Sequence, residues 1–260
     1  MHAVRSLSVN PAWDALCPVM AKALRVPTAM VAIDLGRMQP LLHQRKTGTD
    51  PLRRCLSIEE QQYFSRFHSE KRIKEWLGGR LAAKMSLCQL QGVQPATTAI
   101  LAQWTVLPDI NGRPVPFCRN SSMPLPALSI SHSEDFAVAL ATRAADCGID
   151  LQKISSKLPR LMQRFTTPEE LDLFQQQRPE ENDDAHLTMI WTAKEAFKKA
   201  QLYDSHVSFQ GISIRSVEWS FEEKLLAAEC HCQQPVKRSM VFISGIQGYN
   251  IACCLGGRHA

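Results

Sequence analysis

The chain has 260 residues, 45% of them hydrophobic, and a formal net charge of +5, which is enough apolar material for one large core or two ordinary ones. No run approaches the roughly eighteen apolar residues of a membrane helix. The N-terminus also lacks a basic segment followed by an apolar run and a cleavage site, so a cytoplasmic protein away from the membrane is expected. The nine cysteines are odd in number and form no paired C-x-x-C set, which argues for reduced thiols rather than a disulfide framework or a zinc site. The positive balance favours an anionic ligand or an acidic partner protein.

In chain order, residues up to about 55 read as a strand, Ala29 to Ile33, with loops around it. From Ser57 to Leu90, the apolar residues Tyr63, Phe64, Phe67, Ile73, Trp76, Leu77, Leu81 and Met85 recur every three or four positions. That spacing predicts two helices, or one interrupted, with a basic exposed face. A turn-rich stretch follows, Pro108-Asp-Ile-Asn-Gly-Arg-Pro114, with Pro116, Pro124 and Pro126 beyond it. Strands are expected at Ala127 to Ser131, Phe136 to Thr142 and Gly148 to Ile154. Thr167-Pro-Glu-Glu170 is a helix start, with a threonine cap, proline at the first helical position and two early acids. A longer helix follows over Ala185 to Gln201. Val207 to Val217, Lys224 to His231, Ser239 to Ser244 and Tyr249 to Cys254 then read as antiparallel strands. With helices and an antiparallel sheet in each half, the fold class is α+β in two lobes of similar size.

Four clusters carry chemistry. In Cys147-Gly-Ile-Asp150-Leu-Gln152, strand alternation sends Asp150 and Gln152 to one face and Ile149 and Leu151 to the core. A carboxylate beside an amide oxygen suits a hard cation such as Mg²⁺, with a polar strand edge as the alternative. In Trp191-Thr-Ala-Lys194-Glu195-Ala-Phe-Lys198-Lys199, Trp191, Glu195 and Lys199 share a helix face. A solvated ion pair is the plainer explanation of Glu195 and Lys199, but a tryptophan on the same stripe suggests a partly closed cleft. Ser129-Ile-Ser131-His132-Ser133 can converge hydroxyls, amides and an imidazole on a phosphate. The helix Lys71-Arg72-Ile-Lys74-Glu-Trp-Leu-Gly78-Gly79-Arg80 is a basic face.

Taken in order, Gly112-Arg113-Pro114, the Ser131-His132-Ser133 turn, Gly148-Ile149-Asp150 and Trp191-Thr-Ala-Lys194-Glu195-Ala-Phe197 resemble the successive signatures of surfactin-type 4'-phosphopantetheinyl transferases. The region around Lys74 and Gly78 is a weaker fifth match. The resemblance implies a pseudo-twofold monomer with coenzyme A in the cleft between two lobes. Residues 1–143 would form the adenine and 3'-phosphate side, and 144–260 the metal and pyrophosphate side.

On that template Asp150 and Glu195 hold Mg²⁺, with Mn²⁺ the alternative. Gln152, where many members have a second acid, would contribute directly or through water. Lys199 contacts the phosphates near the breaking bond and Lys194 helps to hold them. Ser131, His132 and Lys74 take the 3'-phosphate, and Arg113 with Pro114 lies against the adenine. The implied reaction moves phosphopantetheine from coenzyme A to a serine of an acidic acyl or peptidyl carrier protein of fatty-acid, polyketide or peptide synthesis. Two rivals remain. A Mg²⁺-dependent phosphodiesterase or nuclease would need nucleic-acid affinity, for which aromatic residues interleaved with the basic ones are lacking. A non-catalytic module binding acidic proteins leaves Asp150, Glu195 and Lys199 without a reason.

Overall fold

The computed structural model describes residues 10–43, 52–93, 97–118, 124–144, 146–220 and 222–257. The chain divides into two compact units. One comprises Met1–Ala21 and Val26–Arg143, the other Lys22–Arg25 and Ala144–Ala260.

The first unit's elements are α1 (Pro11–Ala23), β1 (Thr28–Asp34), α2 (Gln39–His43), α3 (Ile58–Phe64), α4 (Glu70–Leu90), α5 (Thr98–Ala102), β2 (Trp104–Pro108), β3 (Pro114–Cys118), β4 (Ala127–Ser133) and β5 (Phe136–Thr142). Helix α1 corrects the expectation of only a strand and loops before residue 55. Asn10 accepts from Ala12 N at 3.2 Å and starts it, while the interior Pro18 obscures its pattern in the sequence. The sheet order is β1-β5-β4, all antiparallel. Every residue of β5, the central strand, is buried, and α4 packs its Leu77, Leu81 and Met85 into the same core.

The second unit contains β6 (Asp146–Lys153), α6 (Pro168–Gln177), α7 (Asp183–Gln201), β7 (Ile212–Ser220), β8 (Leu225–Gln233), β9 (Val236–Ile246) and β10 (Tyr249–Gly256). Its antiparallel sheet runs β6-β10-β9-β8-β7. The core lies between α7 residues such as Ile190, Ala193 and Phe197 and sheet residues such as Ala228, Ile243 and Ala252. The expected strand from Val207 begins only at Ile212, because Phe209–Gly211 forms a single 3-10 turn.

The protein is therefore α+β, with antiparallel sheets packed on helices. Of the nine cysteines, all but Cys118 are buried. Among the described residues, no helix is long and apolar enough to cross a membrane.

Candidate active site

Helix α7 starts at Asn182, whose side chain accepts from Ala185 N at 2.9 Å, and lies along β6. The contact is close: a Cβ at Gly148 would meet Ala196 O at 1.9 Å and Ala200 N at 2.8 Å. Glycine is the residue that lets helix backbone and strand backbone touch here. Two positions on, Asp150 shares the strand face of Gly148 and so lies under α7. Lys199 Nζ donates to Asp150 Oδ1 at 2.7 Å and to Ile149 O at 3.0 Å.

Asp150 is 6% exposed, so its charge is poorly solvated and needs this cation. One turn before Lys199, the carboxyl of Glu195 is pushed up, chiefly by burial and then by the charge of Asp150, with Lys199 and Lys198 opposing. Another turn back, Trp191 packs between Phe165, with ring centroids 5.2 Å apart, and Phe209, at 4.7 Å. Gln152 follows Asp150 on the same strand face and is partly exposed. Ile149 and Leu151 are buried on the opposite face, so β6 is covered on both sides and its core face toward α7 is the one that carries Gly148 and Asp150.

Lys194 is not with these groups. It is 1% exposed, and its ammonium is held by Glu170 Oε2 at 2.7 Å, with Phe209 O at 3.5 Å. Burial lowers its pKa and Glu170 opposes that shift. The structure thus places Lys194 in the core, where releasing it would strand the Glu170 carboxylate.

The first unit holds a cavity of ≈ 370 Å³ whose lining includes Tyr63, Arg72, Glu75, Trp76, Arg80 and His132. The hairpin turn between β2 and β3 borders it through Gly112 and Pro114. Asp109 Oδ1 accepts from Asn111 N and Arg113 N, each at 2.9 Å, and Gly112 adopts φ +83° to close the turn. Arg113 is thus positioned beside the cavity by its backbone.

Ser131 and His132 belong to strand β4 rather than to a turn. Alternation separates them: His132 and Ile130 face the cavity, and Ser131 is buried, 7% exposed, on the other side. Lys74 is absent from the cavity lining, whereas Arg72, Trp76 and Arg80 form its helical stripe. In the sequence Arg72 and Arg80 read only as members of a general basic face. Their placement four residues to either side of Trp76, on one helix face, is the signal the sequence carries.

The family model of the 4'-phosphopantetheinyl transferase superfamily matches residues 146–254, which lie in the second unit. The chain is 30% identical over 107 residues to a holo-[acyl-carrier-protein] synthase of Staphylococcus haemolyticus, covering 41% of this chain and 86% of that protein. It has the same identity and coverage with one from Geobacillus sp.. It is also similar to a solved holo-(acyl-carrier-protein) synthase from Bacillus anthracis, at 26% identity and a TM-score of 0.38, covering 44% of this chain and 91% of that one. The chain belongs to the 4'-phosphopantetheinyl transferase superfamily.

The divalent cation that the resemblance implies finds suitable donors in the second unit. Asp150 and Glu195 are near enough for their charges to oppose each other, and the Gln152 amide oxygen lies on the same strand face. Among the described residues, no three His, Cys, Asp or Glu side chains gather as a metal-holding group. Two carboxylates and an amide are a donor set that would suit Mg²⁺, with substrate oxygens completing its shell.

Proposed function

We propose that this chain transfers the 4'-phosphopantetheine group of coenzyme A to a serine of an acyl or peptidyl carrier protein in a Mg²⁺-dependent reaction. The observation that carries this reading is the meeting of Asp150 on β6 with Glu195 and Lys199 on α7. Two acids and one ammonium, half shielded from water, match what a charged pyrophosphate needs.

In the reaction the carrier serine Oγ forms a bond to the phosphorus that bears pantetheine. The bond from that phosphorus to the bridging oxygen breaks, and its electron pair leaves with 3',5'-ADP. Asp150 and Glu195, with Gln152, would hold Mg²⁺, which when bound neutralises the pyrophosphate. Glu195 accepts the serine proton, directly or through a water. Lys199 stabilises negative charge on the leaving phosphate, while its contact with Ile149 O fixes the depth of its ammonium. Trp191, wedged between Phe165 and Phe209, shields one side of this group from water.

In the same reading the first unit serves the adenine and 3'-phosphate end of coenzyme A, through His132 and the turn that carries Arg113 and Pro114. The second unit serves the metal and pyrophosphate. The net charge of +5 suits acidic carrier proteins.

The test is the intact mass of purified apo carrier protein after incubation with this protein, coenzyme A and Mg²⁺, beside an Asp150→Ala control. A gain equal to one phosphopantetheine that disappears in the control supports the reading. No gain on fatty-acid, polyketide and peptide carriers alike, from folded protein, overturns it.

A further inference from the structure

The catalytic face exists only while α7 keeps its register against the sheet. Glu195 and Lys199 ride on α7 and Asp150 is fixed in β6. A slide of α7 by a fraction of its ~5.4 Å turn opens the 2.7 Å contact between Lys199 and Asp150. The packing beneath the helix resists such a slide weakly. It is made largely of small residues, Ala193, Ala196 and Ala200 on α7 and Ala252 on β10, with Gly148 and Gly256 where a Cβ would strike the helix backbone. Small side chains permit close approach, but they offer neither ridge nor groove to hold one register.

Directional contacts hold the helix at both ends. At its start Asn250 Nδ2 donates to Ala185 O at 3.1 Å. At its end Gln201 Nε2 donates to Leu255 O at 3.1 Å, and Leu255 O also accepts from Ser239 Oγ at 2.9 Å. Between the two, Cys254 Sγ offers Ala196 O only a weak thiol contact at 3.6 Å. Asn250 lies on β10 directly opposite Gln152 of β6, and the next pair on that face is Ala252 with Asp150. The anchor therefore falls beside the strand that carries the site.

Stability alone does not explain Asn250. It is 0% exposed on an interior strand of the sheet. Because a carbonyl can only accept, the amide nitrogen faces Ala185, and Oδ1 turns toward Gly245 of β9, where a Cβ would stand 3.5 Å from it. That oxygen is buried and has no hydrogen-bond partner among the described residues, which lowers stability relative to an apolar side chain. Nor does Ala185 O need the amide, since within α7 it accepts the helical bond from Met189 N. What Asn250 supplies is direction. A buried asparagine that fixes register at a cost in stability is an attested physical device where packing alone permits several registers.

We infer that Asn250, with Gln201 at the opposite end, is a positioning residue for the transfer reaction: it sets the register of α7 and thereby the meeting of Glu195 and Lys199 with Asp150. This rests on the transferase reading above. Its signature is a separation of turnover from stability, which a residue serving only the core does not show.

The experiment measures carrier-labelling kinetics and urea unfolding for the full chain and for Asn250→Val, Asn250→Leu and Gln201→Met. At least one Asn250 variant is expected to unfold at a urea concentration equal to or above that of wild type. In that variant kcat is expected to fall about tenfold or more, with KM for coenzyme A within about twofold. Gln201→Met, which keeps the side-chain length and removes the donor, is expected to lower kcat about threefold or more. Wild-type kcat in a folded Asn250 variant overturns the role. Loss of folding, or a lowered unfolding midpoint, in both Asn250 variants also overturns it, since the residue then serves the core. Wild-type kcat in Gln201→Met overturns the second anchor. Wild type that labels no carrier protein overturns the transferase reading itself, whereas active wild type with equally active Asn250 variants overturns only the positioning role.

Discussion

Glu170 and Lys194, separated by 24 residues, face each other at 2.7 Å in the core of the second unit. Glu170 also closes the capping box of α6 with Thr167, and its Oε1 accepts from Ile214 N at 2.8 Å. The first unit builds the same device from Glu60 and Lys84, again 24 residues apart, at 2.5 Å. There Ser57 supplies the capping box and Val106 N donates at 2.9 Å. In each unit one carboxylate ties a helix start, a long helix and a strand together. All three attachments lie in the interior, where hydrogen bonds are strong and orphaned charges costly.

Removing one partner of such a pair leaves the other charge buried and uncompensated. Lys194→Met and Glu60→Gln are each expected to cost about 3–5 kcal/mol of stability, read from urea unfolding followed by circular dichroism. Lys199→Met, which removes a lysine that is 31% exposed, is expected to cost less stability and to abolish transfer. Comparable losses of stability from all three would contradict this division of roles.

Gly148→Ala places a Cβ where Ala196 O stands 1.9 Å away. Neither backbone can yield freely, so a loss of about 3 kcal/mol is expected, together with displacement of Asp150 from Lys199. Unchanged stability in chemical denaturation would show that α7 can shift off β6.

Burial and Asp150 raise the pKa of Glu195 in the folded chain. The folded state therefore holds this proton more tightly than the unfolded state. The associated stability is fully present below the unfolded value and is lost as pH rises through the folded one. Glu195→Gln escapes that loss. Its Tm is expected to exceed the wild-type Tm at pH 7, with the difference shrinking as pH falls toward 4, while transfer activity disappears. A Tm difference independent of pH in differential scanning calorimetry would contradict the assignment.

Gln152→Asp adds a second strand carboxylate two residues from Asp150. It is expected to lower the Kd for Mg²⁺ measured by calorimetry, since ligand charge sets affinity for hard cations. It is also expected to lower stability in the absence of metal through repulsion with Asp150. Unaltered affinity would place Gln152 outside the cation's reach.

The features legible in the amino-acid order are local ones. The threonine, proline and acids at 167–170 dictate the start of α6, and the observed capping box is their direct consequence. The spacing of Trp191, Glu195 and Lys199 on one helix face, and the pairing of Gly148 with Asp150, were equally legible because caps and periodicities depend on neighbours a few residues away. Long-range packing selects which of several chemically similar residues is spent on the fold. Lys194 and Lys199 are five positions apart on one helix, yet one is buried against Glu170 and the other lies on Asp150. Lys74 and Arg80 share α4, yet only Arg80 lines the cavity. Ser131 and His132 are adjacent but on opposite faces of β4. These outcomes depend on burial and on partners 24 to 49 residues away. Desolvation, rather than residue type, decides whether a charge serves the core or the site, and no local pattern records it.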